Sequence, residues 1–216
     1  MDMITVETNT RAPAKWSSSG PALEIRFHFV DGSKETFIQP NPEVAEGIRN
    51  QINLGSLFNQ SRIVVADDYS KSVFVGSQIN RIDLIFDGSG LSRIPADHLD
   101  LVELTEAEFH QCVPVNDPTL LQKRQPRLHV GDPMVSFLHL RMMGGSHVYL
   151  MREAAATLPA ESQSFMQRLL SKGTYGIRLR EGEGLLNLHN LIGYTVYPGV
   201  PELPTDTWMA QQKGAL

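Results

Sequence analysis

The clearest hydrophobic pattern begins at Ala22. In "LEIRFHF" the residues Leu23, Ile25, Phe27 and Phe29 fall on one face, and Glu24, Arg26 and His28 on the other. Period two over seven residues predicts a half-buried strand. Asp31 and Gly32 follow, and both tolerate positive φ, so "KETFIQ" returns as the second strand of a hairpin. The period then lengthens. In "NPEVAEGIRNQINLG", Val44, Ile48 and Ile52 recur at four-residue steps with Ala45 beside them, the stripe of a helix. Asn41 is placed to cap it, Pro42 suits the first helical position, Glu43 complements the positive end, and Gly55 is the expected stop. "RIVVADDYSKSVFV" reads as strand, turn, strand about Asp67 and Asp68, and "NRIDLIF" adds another strand.

The same order returns in the second half. "VSFLHLRM" alternates, Gly144 and Gly145 turn the chain, and "SHVYLM" comes back. A helix carrying Phe165, Met166, Leu169 and Leu170 is predicted between Pro159 and Gly173. "YGIRLR" is a strand, "EGEG" a turn, and "LLNLHN" and "YTVY" two further strands. The two hairpin turns, at Asp31 and Gly144, lie 113 positions apart. That shift lays Ile25, Phe27 and Phe29 on Leu138, Leu140 and Met142. Past the helix a shift of 112 lays Ile63 and Val65 on Tyr175 and Ile177, and Ile82 and Leu84 on Tyr194 and Val196. A slip of one residue would send each of these side chains to the wrong face.

The pattern therefore predicts an α+β fold of two tandem, duplicated modules in a pseudo-twofold arrangement. Each is a mostly antiparallel sheet with one helix, ordered strand-strand-helix-strand-strand-strand. The expected divisions are a flexible segment over 1–21, module 1 over 22–87, a connector over 88–133 with a short strand "LDLVEL" and a short helix, module 2 over 134–198, and a Pro/Trp tail over 199–216. Thr105 and Glu108 have the spacing of a capping box at the start of the connector helix.

Composition narrows the setting. The 216 residues are 41% hydrophobic and 20% charged, enough for a sizeable core without staples. A net charge of −5 gives no overall attraction to nucleic acid or anionic lipid. The one basic run, Lys123-Arg124-Gln125-Pro126-Arg127, is short and reads as a solvated linker. Cys112 is the single cysteine, so no intramolecular disulfide supports the fold, which fits a reducing, cytoplasmic location. The first twenty residues have no apolar core of a secretory signal, and no run reaches the length of a membrane span.

Catalytic chemistry is not written into the motifs. The seven histidines lack metal-ligand spacing, and no cofactor or metal is expected. G-x-S-x-G and a P-loop are absent, and "GEGLLN" lies between two strands, the wrong context for a dinucleotide. Cys112 with His110 offers no base placed to activate a thiol, so a buried or incidental cysteine is expected. If the modules enclose a cleft, His139, Arg141, Arg180 and His189 are the candidate ligand-binding residues. Pro198, Pro201 and Pro204 have polyproline II spacing ahead of Trp208, and these four form a candidate partner-binding segment.

The leading expectation is a non-enzymatic interaction or scaffold protein, with a protein partner or a second copy as ligand, assembling through sheet edges or the tail. The alternatives are a ligand-binding protein or enzyme with an inter-module pocket, and a weak binder of single-stranded nucleic acid through Arg26, His28, Arg141, Arg178 and Arg180.

Overall fold

A computed structural model describes residues 20–86, 93, 100–113, 133–155, 173–197 and 208. The first hairpin joins β1 (Leu23–Phe29) to β2 (Lys34–Gln39). Its turn is held by the Asp31 carboxylate, which accepts from the Ser33 amide at 2.9 Å and hydroxyl at 2.6 Å, with Gly32 at φ +85°. Helix α1 (Pro42–Gln51) starts where Asn41 Oδ1 accepts from the Glu43 and Val44 amides. It ends before Gly55, because Ile52 turns extended and gives its N–H to the Arg49 carbonyl. Val44 is exposed, and the helix buries Ala45 with Ile48 and Ile52 instead. Strands β3 (Ile63–Ala66) and β4 (Lys71–Phe74) turn about Asp67, whose side chain accepts from the Tyr69 and Ser70 amides. A 3-10 turn, Gly76–Gln78, leads into β5 (Ile79–Ile85).

The connector supplies β6 (Asp100–Leu104) and α2 (Glu106–Cys112), the latter started by the Thr105–Glu108 capping box. The second half holds β7 (Pro133–Met142), β8 (His147–Ala155), β9 (Thr174–Leu179), β10 (Gly182–Asn187) and β11 (Leu191–Tyr197). "LLNLHN" is not one strand throughout. The Asn187 side chain accepts from the His189 amide, which winds Leu188–Asn190 into a 3-10 turn. The helix expected over 159–173 lies outside the described residues except for Gly173, as do most of the connector, the N-terminal segment and the three tail prolines.

The fold is mixed α+β, with a large, mostly antiparallel sheet. Nine strands run in the order β11-β7-β8-β6-β9-β10-β5-β1-β2, and only β6 with β9 is parallel. β3 and β4 form a separate two-stranded sheet. The expected pair of separate sheets is thus corrected: β10 bonds directly to β5, from Gly182 opposite Ile85 to Leu186 opposite Arg81. β6, from the connector, fills the place between β8 and β9.

The pairings within the two halves follow one register. Leu23 faces Gln39 as Ser136 faces Arg152. Val64 faces Val73 as Gly176 faces Leu185. Ile25 faces Leu84 as Leu138 faces Val196, and each pairing shifts at its end, where Phe29 faces Ile79 and Met142 faces Leu191. A 3-10 turn precedes both β5 and β11.

Two apolar clusters share the β5–β10 seam. One gathers Leu23, Ile25, Phe27, Ile79, Ile82, Leu84 and Leu185 beneath α1 and β3–β4. The other gathers Leu101, Leu138, Leu140, Leu150, Tyr175, Ile177 and Leu186. Leu185 and Leu186 are consecutive strand residues, so they point to opposite faces and enter different cores. This is why β10 is buried on both sides. Glycine is required at Gly182, with φ +127°, where a Cβ would lie 2.0 Å from the Leu84 carbonyl oxygen.

Leu185→Ala and Leu186→Ala should each lower stability by about 2–5 kcal/mol, since both remove fully buried side chains. Because β10 serves both cores, each variant should still unfold in a single transition in urea. Separate transitions for the two halves would show that the seam does not couple them.

Candidate functional site

Beside the seam lies a cleft of about 440 Å³ lined by Arg26, Arg81, Asp83, Glu103, Arg180 and Glu181, among others. Arg81 and Asp83 alternate with Ile82 and Leu84 along β5, which turns the charged pair away from the first core. Asp83 accepts from Arg81 Nε and, at 2.8 Å, bonds His28 Nε2 on the neighbouring strand. The Arg81 guanidinium also grips Glu103 of β6 with two nitrogens, one of them at 2.6 Å. β10 and β9 separate β5 from β6, roughly 14 Å if the sheet were flat. The ion pair therefore spans two intervening strands on this face. Burial alone would raise the Asp83 carboxyl, but the His28 bond and the Arg81 charge outweigh it and hold the group below its ordinary range.

The cationic groups here are committed to carboxylates. Arg26 pairs with Glu24, Arg178 with Asp100, and Arg180 with Glu108 of α2. On the other side of β10, Arg93 bridges Glu183 and the Arg49 carbonyl of α1. Glu183 is nonetheless pushed up by burial, against the pull of Arg93 and Arg49.

A second polar group sits where α2 crosses the outer face of β7 and β8. Phe109 and Val113 pack on Tyr149, with Phe137 and Tyr197 around them. At the rim, His139 stacks on Tyr149 with centroids 4.7 Å apart, and its Nε2 lies 3.1 Å from His147 Nδ1. The Tyr149 hydroxyl donates to Glu106 at 3.1 Å, and His110 lies 3.7 Å from the same carboxylate. Burial, and next the His147 charge, hold the His139 imidazole below its ordinary value. Among the described residues no group of three or more His, Cys, Asp and Glu side chains is arranged to hold a metal ion.

The four residues expected at an inter-module pocket occupy different surroundings. His139 belongs to the α2 rim. Arg141, two residues on and exposed, lies over Gly193 of β11. Arg180 sits on the β9–β10 turn in the cleft, bound to Glu108. His189 is in the 3-10 turn after β10, its ring against Gly173. Cys112 is exposed rather than buried; Phe109 and Val113, toward the end of α2, are the residues that enter the cluster on Tyr149. Trp208 is 95% exposed; Pro198, Pro201 and Pro204 lie outside the described residues. The Arg81–Asp83–Glu103 group was missed from sequence. Its one signal was two charges spaced i, i+2 in a strand whose other face is wholly apolar.

The edges of the nine-stranded sheet differ. β2 carries Lys34 and Glu35. β11, "LIGYTVY", carries no charge and no proline over seven residues, and Ile192 stands out from it. No helix among the described residues is long and apolar enough to cross a membrane. No family model, curated protein or solved structure matches the chain.

Because the folded Asp83 pKa is depressed, its contribution is complete above the unfolded value of about 3.9 and is lost as pH falls through the folded value. Asp83→Asn should cost about 1.5–3 kcal/mol at neutral pH, the worth of bonds to a buried charge. The gap from wild type should narrow as melts are taken below about pH 4. A gap independent of pH would mean that the carboxylate charge is not what stabilises. For the rim, NMR titration should place His139 below the ordinary histidine value of about 6.5. His147→Phe should raise it partway back, burial remaining; no movement would remove the His147 charge from the causes and leave burial with the Arg141 and His110 charges.

Proposed function

We propose that the chain is a non-enzymatic interaction protein that assembles through strand edges, built from two copies of one structural unit. The observation that carries this reading is the uncharged, unguarded edge of β11. Edge strands expose a row of unpaired backbone groups, and proteins that stay monomeric protect them with charge, proline, bulges or cover. β2 is protected in this way, and among the described residues nothing pairs with the outer edge of β11 along Gly193–Tyr197. The shared register of the two halves supports descent from one unit. A reducing, cytoplasmic setting suits an exposed, unpaired Cys112.

A second reading, a small-ligand binder, draws on the cleft, whose volume lies in the range of ligand sites. Its arginines already have carboxylate partners, so an anion would have to displace them. The same pairing weakens the case for single-stranded nucleic acid, because Arg26, Arg178 and Arg180 are partly neutralised.

Native mass spectrometry tests the proposal. The wild-type protein should be heavier than one 24.0 kDa chain. Ile192→Lys, which puts charge on that edge, should reduce it to a monomer that still melts in one cooperative transition. Removal of residues 199–216 should leave the assembly intact; its loss would move the interaction to the Pro/Trp tail. A wild-type monomer carrying a stoichiometric small molecule would favour the cleft instead.

A further inference from the structure

Resting on that edge-assembly reading, we infer that the strand seated on β11 is β4 of a second copy of this chain. β5 and β11 occupy the same place in the two halves. Each pairs with the first strand of its hairpin in one register, each shifts at the same point, and each follows a 3-10 turn. β4 and β10 likewise occupy one place, since each pairs with the strand before it in one register. In the chain, β10 lies on the outer edge of β5. Among the described residues the outer edges of β4 and β11 have no strand partner. The molecule thus holds one finished β10–β5 join and both halves of an unmade β4–β11 join.

Carrying the finished register across gives the unmade one. Leu185 opposite Ile82 becomes Val73 opposite Tyr194. Gly184 opposite Asp83 becomes Ser72 opposite Thr195, and Glu183 opposite Leu84 becomes Lys71 opposite Val196.

Side-chain exposure follows the same map. Leu185, Asn187 and Asn80, all at the finished join, are 0%, 0% and 2% exposed. Their counterparts Val73, Val75 and Ile192 are 53%, 52% and 63% exposed. Three apolar side chains therefore stand in water where the finished join has one buried leucine and two buried asparagines. Apolar exposure concentrated at one contact surface marks an interaction site.

The polar bonds carry over in part. The Asn190 amide crosses the finished join to the Ser77 and Ile79 carbonyls at 3.0 and 3.1 Å. Gln78 stands at the matching position and faces the carbonyls of His189 and Leu191 in the second copy. Asn187 makes a similar bond to the Ile79 carbonyl at 2.8 Å, but its counterpart is Val75, so the unmade join is the more apolar of the two. Asn80 donates to the Met143 carbonyl in the other half's hairpin turn. Ile192 takes that position against Val30 of the second copy.

The contact is head-to-tail: each chain offers one β4 edge and one β11 edge, which do not match themselves. Repetition gives a closed ring where the rotation closes, and a filament where it does not.

Cysteine cross-linking tests the register, with Cys112→Ser in every chain. Facing residues lie about 4.5–5.5 Å apart at Cα, within disulfide reach. Ser72→Cys and Thr195→Cys chains, co-expressed and mildly oxidised, should give a disulfide-linked pair, and neither alone should link. Ser72→Cys with Val196→Cys should not link, since neighbouring strand residues point to opposite faces. An assembly disrupted by Ile192→Lys in which like chains link, 72 to 72 or 195 to 195, would overturn the head-to-tail join yet leave edge assembly standing. So would an assembly with no link at all. A folded wild-type monomer would overturn both.

Discussion

The backbone pairing of β5 with β10 is the constraint on which the rest depends. It unites strands more than a hundred residues apart, and it makes one sheet of what would otherwise be two. Once paired, β10 has a core on each face, while β5 has a core on one face and the charged cleft on the other, so their side chains must suit two environments in alternation. Leu185 and Leu186 satisfy this, and so do Ile82 and Leu84 against Arg81 and Asp83. The buried amides of Asn187 and Asn190 add bonds from the second half to carbonyls of the first. Buried amides of this kind are costly unless bonded, and bonded they fix one register.

The charged face of the seam has a structural task. Arg81 ties β5 to β6 across two intervening strands, and α2 follows β6 directly, so the network also sets where the helix begins. The Thr105–Glu108 box and the Arg180–Glu108 pair hold the same point from either side. The helix then lays Phe109 on Tyr149 and adds Glu106 and His110 to the His139, His147 and Tyr149 group that the β7–β8 pairing brings together. Such an arrangement stiffens the joint between halves, and it leaves few uncommitted donors for a ligand.

The contrast between the two ends of the sheet is what gives the fold a direction. In the proposed assembly, charge on β2 prevents contact at one end of the sheet and β11 makes it at the other. The β10–β5 join inside the chain would then be the pattern for the proposed β4–β11 join, and the apolar residues exposed on β4 and β11 would be covered by it.

Much of the local structure was legible in the sequence. Asp31-Gly32, Asn41-Pro42 and Thr105-x-x-Glu108 act within a few residues, so their turns and caps are fixed by chemistry close in the chain. The period-two alternation of β1 also held, because one wrong step would have exposed a core. The ends of α1 and the turn inside "LLNLHN" were less legible, being set by single hydrogen bonds. Tertiary structure alone decided the rest. Which strand lies beside which is settled by backbone groups that every sequence shares, so nothing in "NRIDLIF" named "GEGLLN" as its neighbour. The Arg81–Asp83–Glu103 cluster and the separation of His139, Arg180 and His189 follow from that choice. The sequence determined the units and their faces; the β5–β10 pairing decided how they join, and with it which edge remains open.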